Sequence, residues 1–186
     1  MLDKDRDLKI GIWDLEPTGW EAEYDYILWS SIKKLGGGIR TLRIDDPKNP
    51  FGYKSDKWLI EEIVKHVNSF DLIVGWNTSG FDFPMLNSRA MINGIVPPER
   101  HYRRDLLFVA RANGRLRNNK LITWAGALLG KSEKTFIKPK NKFAAIRGER
   151  WAINYYVEHN RIDVVETEGV YRILMPILGK KLKKDG

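Results

Sequence analysis

Apolar and polar positions along this chain follow two periods, and the switches between them mark its elements. Leu8–Asp14 (LKIGIWD) is a short apolar run of the kind that forms a buried strand. Tyr24–Ile32 is a second such run, rich in aromatic residues that favour a pleated backbone. Gly36, Gly37 and Gly38 then break the chain and Ile39–Ile44 alternates, so the two runs predict a hairpin. DDPKNPFGYK is a loop by composition. From Asp56 to Ser69 the period lengthens. Trp58, Leu59, Ile63 and Val67 make a helical stripe there, with Ser55 as the expected N-cap. Asp71–Trp76 (DLIVGW) is another buried strand. Asn77–Gly80 turns the chain into a helix over Phe83–Asn93, ended by Gly94 and Pro97-Pro98.

Arg104–Ala112 and Leu121–Leu129 predict short helices, the second closed by Gly130. Residues 131–148 are polar and basic and read as irregular, and Trp151–Leu178 is a long helical pattern with Gly169 as its candidate break. Residues 179–186 (GKKLKKDG) read as a solvated basic tail, and no internal repeat is visible. Three neighbouring strands followed by a helix, a strand and more helices predict an α/β layered domain with a mixed sheet. The 186 residues suit one domain with its own core.

Composition narrows the chemistry. With no cysteine, disulfides and thiolate catalysis are excluded, and a bound metal would need oxygen or imidazole ligands. No apolar run approaches the roughly 20 residues that span a bilayer, and the charged start MLDKDRDLKI lacks a signal peptide's apolar stretch. The expectation is a cytoplasmic protein with no membrane partner. Charge is uneven within a net +8. Residues 1–25 hold eight acids against three bases, residues 100–120 seven bases against one acid, and residues 131–150 seven against two. Acid at one end and base in the later half suit a polyanion held near a cation site, though a solubilising basic surface gives the same count.

The acids sit at telling places. Asp14 and Glu16, in WDLEPTGW, are two apart at a strand end and therefore share a face. Like charges so placed repel unless a divalent cation lies between them; two solvated carboxylates are the plainer alternative. Pro17, Thr18 and Gly19 would then form a turn able to approach a ligand. Asp82 lies in GWNTSGFDFPML, where a strand gives way to a helix. That is where open α/β sheets bind ligands, but also where an Asp merely caps a helix. Phe81, Phe83 and Leu86 would anchor that segment in the core. Tyr155, His159 and Asp163 recur at i, i+4 and i+8 on one helical stripe, which could hold a base and a metal ligand or a simple surface His–Asp contact. If the four carboxylates converge, two cations about 4 Å apart are implied, and oxygen-rich ligation favours Mg²⁺ or Mn²⁺. Asp105 after HYRR reads as an N-cap, and His66 as structural.

DLEPTG, NTSGFDFPML and HNRIDV together resemble the three motifs of the DnaQ-like (DEDD) 3′→5′ exonucleases, in the right order over roughly residues 8–171. The second and third are closest to the branch shared by family B polymerase proofreading domains and YprB-like proteins. The resemblance implies a ribonuclease H-like mixed sheet, three antiparallel strands then parallel ones, flanked by helices. It implies Asp14, Glu16, Asp82 and Asp163 as ligands of two Mg²⁺ or Mn²⁺ ions. Leu15, Thr18, Gly19, Trp20 and Asn77 would lie near the terminal nucleotide, with Lys131 and Lys134 as candidate phosphate contacts alongside Lys138, Lys140 and Lys142. One departure stands out. The tyrosine subgroup has Tyr four residues before its last Asp and the histidine subgroup has His five before; here His159 sits four before Asp163. His159 is the expected water-orienting base, with Tyr155 or Tyr156 in reserve. The expected substrate is nucleic acid, single-stranded DNA first and RNA second, and a polymerase or replication partner would suit it. Two rivals are a structure-specific endonuclease of the same fold and a catalytically silent nucleic-acid-binding module.

Overall fold

The computed structural model describes residues 8–99, 102–133 and 139–182. Five strands, β1 (Ile10–Pro17), β2 (Ile27–Lys34), β3 (Ile39–Arg43), β4 (Leu72–Gly75) and β5 (Tyr102–Asp105), form one sheet in the order β3-β2-β1-β4-β5. β2 runs antiparallel to both β1 and β3, whereas β4 pairs parallel with both β1 and β5. The helices are α1 (Lys57–Val67), α2 (Asp82–Ile92), α3 (Leu106–Asn113), α4 (Leu121–Leu129), α5 (Pro139–Ile146) and α6 (Arg150–Leu182). This is the mixed-sheet α/β class expected from the sequence. Among the described residues no helix is long and apolar enough to cross a membrane.

Strand alternation divides the interior in two. Trp13, Leu15 and Ile73 point to one face of the sheet, where they pack with α1, α2 and the start of α6. Ile10, Ile12, Leu72 and Val74 point to the other, against α3, α4 and the far part of α6. Helix α6 therefore serves both cores: Ala152, Ile153, Tyr156 and Val157 belong to the first, and Val164, Val170, Tyr171 and Leu174 to the second. Between these two sets lie His159, Asn160 and Asp163, all buried although polar.

Four expectations need correction. Residues 102–105 form an edge strand rather than the start of a helix. Tyr102 and Arg103 are exposed there, so no alternation betrays a strand, and charge on an edge blocks further pairing. Arg103 instead stacks over the Phe83 ring, 3.6 Å from its centroid. The basic segment after α4 contains a helix, α5, which buries Ala144 and Ala145 against the core. α6 runs unbroken through Gly169, where a Cβ would meet Leu129 at 2.9 Å, so the glycine admits α4 rather than ending the helix. The backbone places the cap of α1 at Asp56, one residue after Ser55, whose hydroxyl nonetheless accepts the Lys57 amide at 3.2 Å.

Asp56 makes no capping bond because its carboxylate is used elsewhere. It accepts from the Ile27 amide at 2.9 Å and from Nε and Nη2 of Arg89 at 3.0 and 2.7 Å, with both residues almost wholly buried. Arg89 also donates to the Ala22 carbonyl at 2.8 Å, so one buried ion pair ties α1, α2, β2 and the loop after β1 together. Asp56→Ala would strand an uncompensated guanidinium. It is expected to cost about 3–5 kcal/mol in urea unfolding, and a second change, Arg89→Met, should recover much of that loss.

Candidate metal centre

β1 places its two acids at the end of the sheet. Both carboxylates are half-buried while Trp13 and Leu15, which alternate with them, lie in the core, as strand alternation requires. The polar stretch of α6 lies opposite. Ligand atoms of Glu16, His159 and Asp163 all fall within 4.8 Å of one another, although more than 140 residues of chain separate Glu16 from the other two. His159 Nε2 lies 3.7 Å from Asp163 Oδ2, and the two side chains are 4% and 6% exposed. Asp14 joins through Asn160, whose Nδ2 donates to Asp14 Oδ2 at 2.5 Å.

Asp82 approaches from the other side. It is the first residue of α2, with Phe81 at the N-cap position making no side-chain bond. Its carboxylate does not cap α2 in the usual way but reaches across to β1, accepting the Leu15 amide at 3.0 Å. Phe83 and Leu86 are fully buried and Phe81 is packed against the same core, so the anchoring expected of them is present. Burial pushes the Asp82 carboxyl up to about 7; the charges of Glu16 and Asp105 push the same way, and the amides of Leu15 and Asp82 itself oppose them.

The loop that delivers Asp82 is held by Asp105. That carboxylate accepts the amides of Asn77, Ser79 and Leu107 at 2.9, 2.8 and 3.0 Å. The expected N-cap is therefore present, with a second duty in shaping the turn where Asn77 takes a φ of 65°. The loop after β1 is held by Asp25, which accepts from the Thr18 hydroxyl at 2.7 Å and the Glu21 amide at 3.0 Å. A Cβ on Gly19 would collide with that carboxylate, so only glycine fits there. Trp20 is 80% exposed and rests on Phe81, ring centroids 5.0 Å apart.

The remaining candidates separate. Leu15 points into the core, and its amide is what it presents to Asp82. Lys131 pairs with Glu133 at 2.6 Å on a groove lined by Ile162 and Val165, outside the cluster around Glu16. Lys134 and Lys138 lie outside the described residues. One contributor was not singled out from sequence. Asn160 was visible only as the neighbour of His159. Tyr156, rather than Tyr155, is the buried phenol: its hydroxyl is raised by burial and then by the charge of Glu16. The Tyr156 hydroxyl and Asn160 Oδ1 are both buried without a hydrogen-bond partner among the described residues. Oxygen and imidazole donors, crowded carboxylates and unsatisfied polar atoms fit a hard divalent cation.

Comparison with known proteins adds a likeness of sequence and fold. Residues 33–106 match a family described as a predicted 3′-5′ exonuclease related to the exonuclease domain of PolB. A DNA polymerase of Methanocaldococcus jannaschii is 34% identical over 90 residues, covering 48% of this chain and 5% of the relative. DNA polymerase 2 of Aeropyrum pernix is 32% identical over 77 residues, covering 40% of this chain and 9% of the relative. The chain thus matches only a small part of either curated relative. The family B DNA polymerase of Pyrobaculum calidifontis superposes with a TM-score of 0.74 at 20% identity, covering 92% of this chain and 25% of that one. The chain is therefore an α/β domain with the fold of part of a family B DNA polymerase. In sequence it is similar, over residues 33–106, to the predicted PolB-related exonuclease family.

The raised Asp82 carboxyl sets a pH dependence. Between about pH 4 and 7 the native state holds a proton that the unfolded chain releases, so native stability falls as pH rises through this window. In EDTA, Asp82→Asn should match the parent near pH 4 and exceed it at pH 8 by an amount of order 3 kcal/mol. Thermal unfolding across that range checks it; a variant no more stable at pH 8 contradicts the assignment.

Proposed function

We propose that the protein is a 3′→5′ exonuclease acting on single-stranded nucleic acid, DNA first, through a site held in this one domain by Asp14, Glu16, Asp82 and Asp163. The observation that carries the reading is the convergence of Glu16, His159 and Asp163 within 4.8 Å, with Asp14 and Asp82 tied to the same strand end. The four carboxylates would hold two Mg²⁺ or Mn²⁺ ions. When bound, these supply positive charge to the attacking water and to the departing oxygen of the phosphodiester.

The chain's own groups do the rest. Asn160 orients Asp14, and the Leu15 amide orients Asp82, so both carboxylates are preset before substrate arrives. Buried His159 is placed to take the water's proton at an imidazole nitrogen, and Asp163 at 3.7 Å favours the imidazolium that results. Exposed Trp20, seated on Phe81, offers a face on which the terminal base can stack. A polymerase or replication partner is part of the same proposal, supported by the polymerase relatives.

End-labelled oligonucleotides in Mg²⁺ or Mn²⁺ test the reaction. Stepwise shortening from the 3′ end is expected, abolished by Asp14→Ala with Glu16→Ala in a protein that still folds. Cutting of circles with intact linear ends would favour an endonuclease instead, and undiminished digestion by the double variant would remove those acids from the site.

His159 is tested separately. His159→Ala should lower kcat by about 100-fold or more while the Mn²⁺ affinity measured by titration changes little. A large loss of affinity would make the imidazole a ligand rather than a base.

A further inference from the structure

The helix that carries His159 and Asp163 also builds a second surface near its start. Between α5 and the first turns of α6 lies a cleft of about 620 Å³, with Lys140 and Arg147 on one side and Trp151 and Tyr155 on the other. Trp151 is 57% exposed. A large indole left in water at a helix start buries little area, so packing does not explain it.

Its orientation is nevertheless fixed. The indole N–H donates to Glu149 Oε2 at 3.0 Å, while Arg147 donates to Glu149 Oε1 from Nη2 at 2.6 Å and from Nε at 3.1 Å. One carboxylate thereby locks both side chains and leaves the indole's π faces and the outer edge of the guanidinium uncommitted to that acid. Residues 139–151 carry four Lys or Arg side chains against that single acid, so the surface stays cationic.

Ring contacts also link the cleft to the neighbourhood of the carboxylates. Tyr155 lines it and meets Tyr156 edge-on, centroids 5.9 Å apart. Tyr156 in turn packs on Trp29 at 5.7 Å and presents its hydroxyl to the field of Glu16. Along α6, Trp151, Tyr155 and His159 follow one another at four-residue steps, one helical turn each.

We propose that this cleft is the subsite for nucleotides on the 5′ side of the one being removed: a base stacks on Trp151, and the strand's phosphates lie on Lys140 and Arg147. It rests on the exonuclease reading above and extends it, because cation ligands alone do not hold a flexible single strand in line. Aromatic faces and cationic side chains in alternation are the sequence-tolerant way to do so.

Binding of a short 5′-fluorescein, phosphorothioate-linked single-stranded DNA, followed by anisotropy over a salt series, tests it on the full chain. Trp151→Leu keeps apolar bulk without a π face and should weaken binding roughly tenfold or more; Trp151→Phe should restore most of it. Lys140→Ala should flatten the dependence of log affinity on log salt by about one contact. If Trp151→Leu binds like the parent and Lys140→Ala leaves the slope unchanged, while the parent still shortens 3′ ends, the subsite is wrong and the exonuclease reading survives. A parent that neither binds nor shortens the strand overturns both.

Discussion

The structure turns on one crossing. α6 contributes to the cores on both faces of the sheet, so it must pass the end of β1 on the way from one to the other. An apolar helix would leave the β1 acids facing hydrocarbon at that point, which burial of charge forbids. The helix is polar there instead. Asn160 meets Asp14, and His159 and Asp163 meet Glu16. The site is thus the place where two apolar seams of one helix change hands.

Holding the acids together needs more than the crossing. Each of the two supporting loops is organised by a carboxylate that accepts backbone amides: Asp25 after β1, and Asp105 after β4. The Arg89–Asp56 pair then clamps the β1 loop to α1 and α2. These bonds belong to the protein rather than to any ligand, so the donor set is preset and its mutual repulsion is stored in the fold. Asp82 is buried by the same fold, and that burial, with a smaller push from the charges of Glu16 and Asp105, carries its carboxyl up to about 7.

How much of this could be read from the sequence follows from which signals are local. β1, β4, α2 and α4 announce themselves by apolar runs and by their terminating residues, so their positions were legible within a few residues. β5 was not, because an edge strand made of Tyr102, Arg103, Arg104 and Asp105 has no apolar alternation to read. α5 was hidden by its lysines. It is held by the two small alanines it buries, a signal too weak to stand out in a basic segment. The acids were recognisable because DxE at a strand end is a poor choice for stability. Asn160 was not, since an amide beside a histidine carries no such penalty and shows its purpose only when Asp14 is beside it. The choice between Tyr155 and Tyr156 needed the rotation of α6, which a one-residue difference decides.

Charge then explains why the chain is basic while its centre is acidic. Crowded carboxylates repel a phosphodiester as strongly as they repel one another, so a nuclease of this design must draw its substrate with other residues and reserve its acids for cations. The uneven sequence suits that reading: acids collect within residues 1–25, and Lys and Arg collect in residues 100–120 and 131–150. The fold places α5 from the second basic segment beside the start of α6, one and two helical turns before His159. A strand drawn to that basic wall would have its end carried along the helix toward Glu16 and Asp163. On the proposed reading the same helix would serve attraction at one end and ligation in its middle, with Tyr155 and Tyr156 between the two.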